Sequence, residues 1–209
     1  MKKELLQKVL TEMQSYIGDI LLQERVVGCS IGVVLDQELI WVKGYGYSNI
    51  DKQTKPQGHT LFRGDSNTKP FTAMSIMQLR DEGKLDINDP VIKYIPEFGR
   101  IDCRYGSIED VTLRRLLTHR SGLQGEPPSD RPRTGIGPTE EELLNSLHDI
   151  SVVIPPDWQH KYCNSGFMLL GVVVSRLSGI KYEDYIDNYI FSPLGMIAST
   201  FNPDQSEVD

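Results

Sequence analysis

Hydrophobic positions change their spacing along this chain, and the changes predict its elements. Near the amino terminus, apolar side chains recur every three or four residues, which is the spacing of one face of an α-helix. The pattern predicts an amphipathic helix over residues 3–23. The apolar positions concerned are Leu5, Leu6, Val9, Leu10, Met13, Ile17, Ile20 and Leu21.

Two runs with high β-propensity follow this helix. They are GCSIGVVL at 28–35 and ELIWVKGYG at 38–46, and both are rich in β-branched or aromatic residues. Only Asp36 and Gln37 separate them, so the two runs predict a β-hairpin with a two-residue turn. A polar loop, SNIDKQTKPQGH, separates the hairpin from the rest of the chain.

From Ser66 onward the apolar positions return to a helical spacing. The first such segment runs to Arg80, and Gly83 is placed to end the helix because glycine adopts the left-handed conformation found after many helices. The segments that follow, as far as residue 191, also have mainly helical patterns.

Capping signals and one strongly apolar segment define the later helices. Thr112 fits the N-cap of TLRRLLTH, and Thr139 with Glu142 fits a capping box. The segment GFMLLGVVVSRL at 166–177 is apolar on nearly all sides, which predicts a buried helix. The polar, proline-rich stretch PPSDRPRTGIGP at 127–138 predicts a loop within this helical region.

These elements predict a mixed α and β fold in one domain covering residues 1–209. The helix and hairpin of residues 1–65 form the sheet region, and residues 66–191 form a helical subdomain. With 209 residues, of which 39% are hydrophobic, the chain has enough apolar surface for a substantial core.

Charge and targeting signals exclude several function classes. The net charge is −7, and the basic residues are scattered, so no basic patch for nucleic acid or an anionic membrane is present in the sequence. No apolar run approaches the roughly 20 residues that span a bilayer. Lys8 and Glu12 interrupt what would have to be the apolar core of a signal peptide. We therefore expect a cytoplasmic protein whose folded part begins near its amino terminus.

The three cysteines agree with a reducing compartment. Cys29, Cys103 and Cys163 are an odd number and lack the spacing of a disulfide framework or a metal site. His160 and Cys163 could pair on a metal, but two ligands without a third do not make a site. No metal or other cofactor is expected.

The segment DSNTKPFTAM at 65–74 contains the first candidate chemistry. Ser66 and Lys69 are three residues apart, so both side chains lie on one face of a helix and the Lys69 amine can reach the Ser66 hydroxyl. At a helix start, free N–H groups and the positive end of the dipole stabilise negative charge on a substrate oxygen. Pro70 lacks an N–H but is tolerated in a first helical turn.

A lysine that acts as a base needs an environment that disfavours its charged form. The neighbouring apolar residues Phe62, Phe71 and Met74 could supply part of that environment. The Ser-x-x-Lys spacing alone does not decide between a helix start and a catalytic pair, because it also arises by chance. A second copy, Ser178 to Lys181, spans a glycine where a helix should end, so its side chains need not share a face.

A second group of polar residues stands directly before the buried helix. In the triplet Tyr162-Cys163-Asn164, the tyrosine and the asparagine are two residues apart. On an extended turn they therefore point the same way, toward whatever the start of that helix faces.

With both motifs, the chain resembles the serine beta-lactamase and penicillin-binding protein superfamily, particularly the class C beta-lactamase and related esterase branch. The likeness runs in order from about residue 25 to residue 200. The segments that carry it are FRGDSNTKPFTAMSIMQLRDEGKLDINDPVIKYIPEF, VTLRRLLTHRSGL, YCNSGFMLLGVVVSRLSG and FSPLGM. This resemblance implies an α+β fold of the beta-lactamase/transpeptidase type, with an antiparallel sheet packed on a largely helical subdomain.

The resemblance also implies roles for individual residues. Ser66 would be the acylated nucleophile, Lys69 its base or proton relay, Tyr162 the second proton-transfer group, and Asn164 an amide that orients the substrate. Gln124, just after the SGL turn, matches a position that contacts the substrate amide. Which of Lys69 and Tyr162 takes the first proton stays open.

These roles imply a serine hydrolase that transfers an acyl group to water through an ester on Ser66. The substrate would be a β-lactam, a small ester or a D-amino-acid peptide. A cytoplasmic location favours an esterase-like or peptidase-like role on a small-molecule or peptide substrate.

One departure from the superfamily pattern raises alternatives. Its third motif, Lys or His followed two places later by Gly, lies on a strand after the helical region, and none of the residues after Asn164 has that pattern. A hairpin alone is marginally stable. We therefore expect a further carboxy-terminal segment, or self-association, to complete the sheet. The competing hypotheses are a catalytically degenerate binding protein of the same fold and a truncated inactive fragment.

Other residues suggest chemistry that the sequence argues against. Gly28 to Gly32 match the Gly-x-Ser-x-Gly elbow of another hydrolase fold, but an elbow needs a helix after its serine. Since a strand pattern continues after Ser30, we expect Ser30 to be a strand residue. His119 stands at a predicted helix end, which favours a capping or packing role over a Ser-His-Asp triad.

Overall fold

The computed structural model describes residues 2–126 and 138–203. Apart from Pro138, the loop predicted at 127–138 lies outside the described residues. The chain is divided into two compact units. One comprises the residues up to Arg63 together with those from Ala198 onward, and the other comprises Gly64–Ile197. The described elements confirm the predicted mixture of helices and antiparallel strands.

The first unit contains one long helix and one hairpin. Helix α1 spans Lys2–Gln23, strand β1 spans Gly28–Leu35 and strand β2 spans Glu38–Gly46. The strands pair antiparallel, with a register shift between Val33 and Val34. Asp36 and Gln37 both have positive φ, 51° and 66°, as a two-residue turn matched to the strand twist requires. The predicted helix and hairpin are confirmed.

Ser30 lies within the hairpin and not at an elbow. It stands opposite Gly44 in the middle of β1, and its hydroxyl donates a hydrogen bond to the Gln57 carbonyl at 3.0 Å. In α1, the Gln14 side-chain oxygen accepts a hydrogen bond at 2.7 Å from Lys43 Nζ of β2. None of the helices in the described part of the chain is both long and apolar enough to cross a bilayer.

The second unit is mainly helical. Its short parallel strand pair joins β3 (Asp102–Cys103) to β4 (Ser151–Val152), and no strand follows Asn164 in the described residues up to 203. A π-helical turn, Asp187–Phe191, follows its last helix. Its helices are α2 (Lys69–Asp81), α3 (Leu113–Leu117), α4 (Glu140–Asn145), α5 (Asn164–Ser178) and α6 (Tyr182–Ile186).

Helix α5 is the centre of this unit. It packs against α2, α3 and α6. Because it has neighbours on most sides, its apolar residues are buried around most of its circumference, as predicted. It ends at Gly179, whose φ of +76° is the left-handed conformation expected after a helix. The fully buried residues of α5 include Leu169, Leu170, Val173 and Val174.

The predicted caps are present. The Thr112 hydroxyl accepts a hydrogen bond from the Arg115 N–H at 3.3 Å at the start of α3. At the start of α4, the Thr139 hydroxyl accepts from the Glu142 N–H at 3.2 Å, and the Glu142 carboxylate accepts from the Thr139 N–H at 2.8 Å. These bonds satisfy N–H groups that have no partner inside the helix.

A tight turn after α3 brings the chain to the start of α5. Gly122 has φ +76°, and a Cβ at this position would lie 2.1 Å from the Ile154 carbonyl oxygen, so only glycine fits. The Gly122 carbonyl accepts from the Val153 N–H at 2.8 Å. Two residues past Leu123, the Gly125 carbonyl accepts from the Asn164 N–H at 2.7 Å. The turn therefore anchors the first residue of α5.

Candidate active site

Ser66 lies in a 3₁₀ turn, Asp65–Thr68, directly before α2. The Ser66 carbonyl accepts a hydrogen bond from the Lys69 N–H, three residues on. The α-helical partner of that carbonyl would be Pro70, which has no N–H, so the tighter bond takes its place. Asp65 has φ +41°, an unfavourable conformation for a residue with a side chain. Ser66 therefore follows a strained residue, a feature found often at functional sites.

Lys69 reaches Ser66 from the next turn. Its Nζ lies 3.1 Å from Ser66 Oγ, as the three-residue spacing predicted. The same ammonium donates a second, shorter hydrogen bond of 2.7 Å to Asn164 Oδ1 at the start of α5. The lysine therefore connects the first turn of α2 with the first turn of α5.

Tyr162 completes the group around the serine. Its hydroxyl donates a hydrogen bond of 2.7 Å to Ser66 Oγ, and its ring centroid lies 4.7 Å from Lys69 Nζ. In this arrangement Ser66 Oγ accepts two hydrogen bonds. To act as a nucleophile it must instead donate its own proton, so one of the two partners has to be deprotonated first.

The surroundings make the Tyr162 phenol more acidic. The Lys69 side chain beside it, followed by the hydrogen bond with Ser66, lowers the pKa of Tyr162, whereas burial and the Glu126 carboxylate act in the opposite direction. The Tyr162 side chain is also accessible from solvent, since 45% of the residue's surface is exposed. A phenol with a lowered pKa in an open position can exchange protons with a bound substrate.

The aromatic residues around Lys69 differ from those expected. The rings that face its ammonium are those of Tyr162 and of Phe167, whose centroid lies 5.5 Å away. Phe71 instead makes an edge-to-face contact with Phe191, with centroids 5.1 Å apart. Since residues two apart on a helix point in nearly opposite directions, Phe71 cannot share a face with Lys69.

Asn164 joins Lys69 to an acidic residue that sequence reasoning missed. Its Nδ2 donates a hydrogen bond of 2.6 Å to the Glu126 carboxylate, while its Oδ1 accepts from Lys69. The amide thus bridges a cation and an anion. Glu126 stands two residues after Gln124, but its contact crosses 38 positions of sequence. No local pattern could have shown that contact.

Gln124 stands two residues before Glu126, but its side chain contacts other groups. Its side-chain Nε2 donates to the backbone carbonyls of Asp149, at 3.1 Å, and Glu126, at 3.3 Å. The described hydrogen bonds of this side chain do not include Ser66, Lys69, Tyr162 or Asn164. Its expected contact with a substrate amide stays a prediction.

His119 packs behind the Tyr162 triplet. Its ring centroid lies 4.4 Å from that of Tyr162 and 5.0 Å from that of Phe167. Its Nδ1 accepts a hydrogen bond of 3.1 Å from the Cys163 N–H. These contacts fit the packing role expected for His119, and none of its described contacts is with Ser66.

Cys163 is a helix cap and not a reactive thiol. Its sulfur accepts a hydrogen bond of 3.2 Å from the Gly166 N–H in the first turn of α5, and its thiol lies 3.1 Å from the Gln124 carbonyl. Burial raises the pKa of this thiol, which keeps it protonated. Within the described residues, no group of three or more His, Cys, Asp and Glu side chains is arranged to hold a metal ion.

Comparison with known proteins identifies the family of the chain. The sequence profile described as Beta-lactamase matches residues 6–209, nearly the whole chain. The chain belongs to the beta-lactamase family. Its fold is likewise that of the beta-lactamase/transpeptidase class, as predicted.

Three of the similar proteins show how far the likeness extends. Protein flp of Staphylococcus aureus strain MW2 is 30% identical over 177 residues, which cover 84% of this chain and 35% of that protein. The octameric penicillin-binding protein homologue from Pyrococcus abyssi is 31% identical with a TM-score of 0.82, covering 96% of this chain and 46% of that one. A class C beta-lactamase is 25% identical with a TM-score of 0.80, covering 96% and 52%. The chain thus spans about a third to a half of the length of these proteins.

Proposed function

We propose that the protein is a serine hydrolase that forms an acyl ester on Ser66. The observation that carries the proposal is the position of Ser66 Oγ, which lies 2.7 Å from the Tyr162 hydroxyl and 3.1 Å from Lys69 Nζ. A serine becomes a nucleophile when a group within hydrogen-bonding reach can take its proton. Two such groups are present on separate elements. Membership of the beta-lactamase family supports the same chemistry.

The proposed reaction has two steps. In the first, Ser66 Oγ bonds to the substrate carbonyl carbon while its proton passes to Lys69 or Tyr162. The tetrahedral intermediate then collapses, and the leaving group departs with that proton. In the second step, water loses a proton to the same group and attacks the ester, and Ser66 regains its proton as the acid product leaves.

Lys69 and Tyr162 remain alternative first bases. The lowered pKa of Tyr162 supports a phenolate that takes the serine proton, with the Lys69 ammonium stabilising its charge. In the other scheme a neutral Lys69 takes the proton, and Tyr162 passes a proton to the leaving group. Both schemes use the same contacts but differ in which variant keeps activity.

For the substrate, we propose a small ester or a D-amino-acid peptide, with a β-lactam as the alternative. All three present a carbonyl with a leaving group, so one nucleophile can attack any of them. The Glu126 carboxylate bonded to Asn164 places negative charge beside the amide proposed to orient the substrate. Next to that amide, an uncharged or cationic acyl group is therefore favoured over an anionic one.

The test compares hydrolysis of p-nitrophenyl esters, D-alanyl peptides and the β-lactam nitrocefin by the wild-type protein and by Ser66→Ala. We expect at least one class to be hydrolysed and Ser66→Ala to lose that activity. Ester hydrolysis that persists in Ser66→Ala would contradict the proposed nucleophile. Tight binding of these compounds without any turnover would support the degenerate binding protein instead.

A further inference from the structure

The ring of Tyr162 packs against the ring of His119, a residue with no role in the proposed reaction. We propose that His119 is a positioning residue, which in its neutral form holds the Tyr162–Asn164 turn in place through its Nδ1. The inference rests on the proposed function, because it concerns the residues that would handle protons and orient the substrate.

The hydrogen bond to Cys163 is the main contact. The Cys163 N–H lies in the peptide that links it to Tyr162, and it points to His119 Nδ1 at 3.1 Å. Fixing this peptide restrains the backbone between Tyr162 and Asn164, from which both side chains extend. Since Nδ1 accepts a hydrogen bond, it carries no proton, and a neutral ring must then carry its proton on Nε2.

A second backbone contact reinforces the first. The His119 carbonyl accepts a hydrogen bond of 2.8 Å from the Lys161 N–H. His119 therefore binds the chain on both sides of Tyr162: its carbonyl binds Lys161, and its imidazole binds Cys163. It does so with φ +56°, in the left-handed region that residues other than glycine occupy uncommonly and that histidine, asparagine and aspartate occupy more often than most.

The surroundings of the ring favour its neutral form. It packs against the rings of Tyr162 and Phe167 and lies edge-on to His160, with centroids 5.5 Å apart. Burial, followed by the charges of His160 and Lys69, lowers the pKa of His119. An imidazolium would be repelled by the charge of Lys69, and it would lose the lone pair that accepts from the Cys163 N–H.

Two substitutions separate the hydrogen bond from the ring. His119→Asn keeps an acceptor at the position of Nδ1 and tolerates the positive φ, whereas His119→Phe keeps an aromatic ring but has no acceptor. The measurement is the second-order rate of labelling of Ser66 by a fluorophosphonate probe. We expect the Asn variant to stay within about threefold of wild type and the Phe variant to lose about ten- to a hundredfold, the scale of a small misplacement in an active site.

Two outcomes of this comparison of labelling rates would contradict the proposal. Labelling of His119→Phe at the wild-type rate, or equal losses in the Asn and Phe variants, would overturn the positioning role. Thermal unfolding of each variant is measured beside the rates. Should His119→Phe fail to fold, His119→Gly serves in its place, because glycine accepts the positive φ and also lacks the acceptor.

The pH profile gives a readout that a purely structural role would not move. As the pH falls through the lowered pKa of His119, the imidazole gains a proton and Nδ1 stops accepting, so we expect the wild-type labelling rate to fall. Asparagine does not titrate in this range, so His119→Asn should lack that step. The same step in both proteins would contradict the proposal.

Nitrogen chemical shifts of the imidazole test the inference without any labelling. At neutral pH we expect a neutral His119 with its proton on Nε2. A charged ring, or a proton on Nδ1, would overturn the positioning role even if Ser66 reacts. Conversely, absence of Ser66 labelling in the wild-type protein with the expected tautomer present would contradict the proposed function and leave the His119 contact supported.

Discussion

At the scale of single residues, the two hydrogen bonds to Ser66 Oγ leave open whether Lys69 or Tyr162 takes the serine proton. Lys69→Arg tests the role of Lys69, because a guanidinium keeps the charge but does not deprotonate in proteins. If a neutral Lys69 is the first base, acylation falls at least about a hundredfold, the scale of a lost general base, and if the Tyr162 phenolate is the first base, acylation stays near the wild-type rate. The matched control is Lys93→Arg, an exposed lysine paired with Asp89, which should react normally. Near-normal acylation by Lys69→Arg would mean that Lys69 acts only through its charge.

Tyr162→Phe tests the other partner. It removes the hydroxyl 2.7 Å from Ser66 and leaves an aromatic ring beside Lys69. If the Tyr162 phenolate is the first base, its lowered pKa makes the wild-type acylation rate rise with pH through a value below the ordinary tyrosine pKa of about 10. We expect the variant to lose that rise and about a hundredfold in rate. Tyr189→Phe, at another exposed tyrosine, is the control, and an unchanged pH profile in Tyr162→Phe would contradict the role.

The negative charge of Glu126 predicts a preference for uncharged over anionic substrates. Glu126→Gln keeps an oxygen that can accept from Asn164 but removes the negative charge. We expect the wild-type protein to prefer an uncharged p-nitrophenyl acetate over an ester with an anionic succinyl group, and the variant to narrow that preference about five- to tenfold. The measurement is the ratio of kcat/KM values for the two esters. An unchanged ratio would show that Glu126 does not face the acyl group.

At the scale of elements, two glycines test whether the tight turn after α3 requires glycine at position 122. Gly122 and Gly179 both have φ +76°, but an added Cβ meets the Ile154 carbonyl at Gly122 and nothing within 4 Å at Gly179. We expect Gly179→Ala to lower the free energy of unfolding by about 1 kcal/mol, from backbone strain alone. Gly122→Ala should lose about 1–3 kcal/mol more, from the added clash. Urea unfolding compares them, and equal losses would contradict this account of the turn.

The elements also show which parts of the fold and of the site were predictable from sequence. The hairpin turn at Asp36 and Gln37 and the contact between Ser66 and Lys69 follow from spacing over two or three residues, so local rules sufficed. The contact of His119 with Cys163 joins residues 44 positions apart, and it depends on how α3 and α5 pack. Phe71 was expected near Lys69 because it is close in sequence, although helix geometry turns it away.

At the scale of the whole molecule, the four residues proposed for the chemistry lie in one compact unit. Ser66, Lys69, Tyr162 and Asn164 all fall within Gly64–Ile197. They come from the starts of two helices, α2 and α5, that pack directly on each other. The order of the motifs in the sequence predicted this meeting through resemblance to a family. Residue spacing could not, because the two starts are almost a hundred residues apart.

The central claim is that Ser66 is the acylated nucleophile, and trapping the acylated protein tests it most directly. The protein is treated with a fluorophosphonate probe, digested, and mapped by mass spectrometry, in wild-type form and as Ser66→Ala and Ser30→Ala. We predict one modified peptide, containing Ser66, that disappears in Ser66→Ala and persists in Ser30→Ala. Labelling that survives in Ser66→Ala and vanishes in Ser30→Ala would contradict the claim and place the nucleophile in the hairpin.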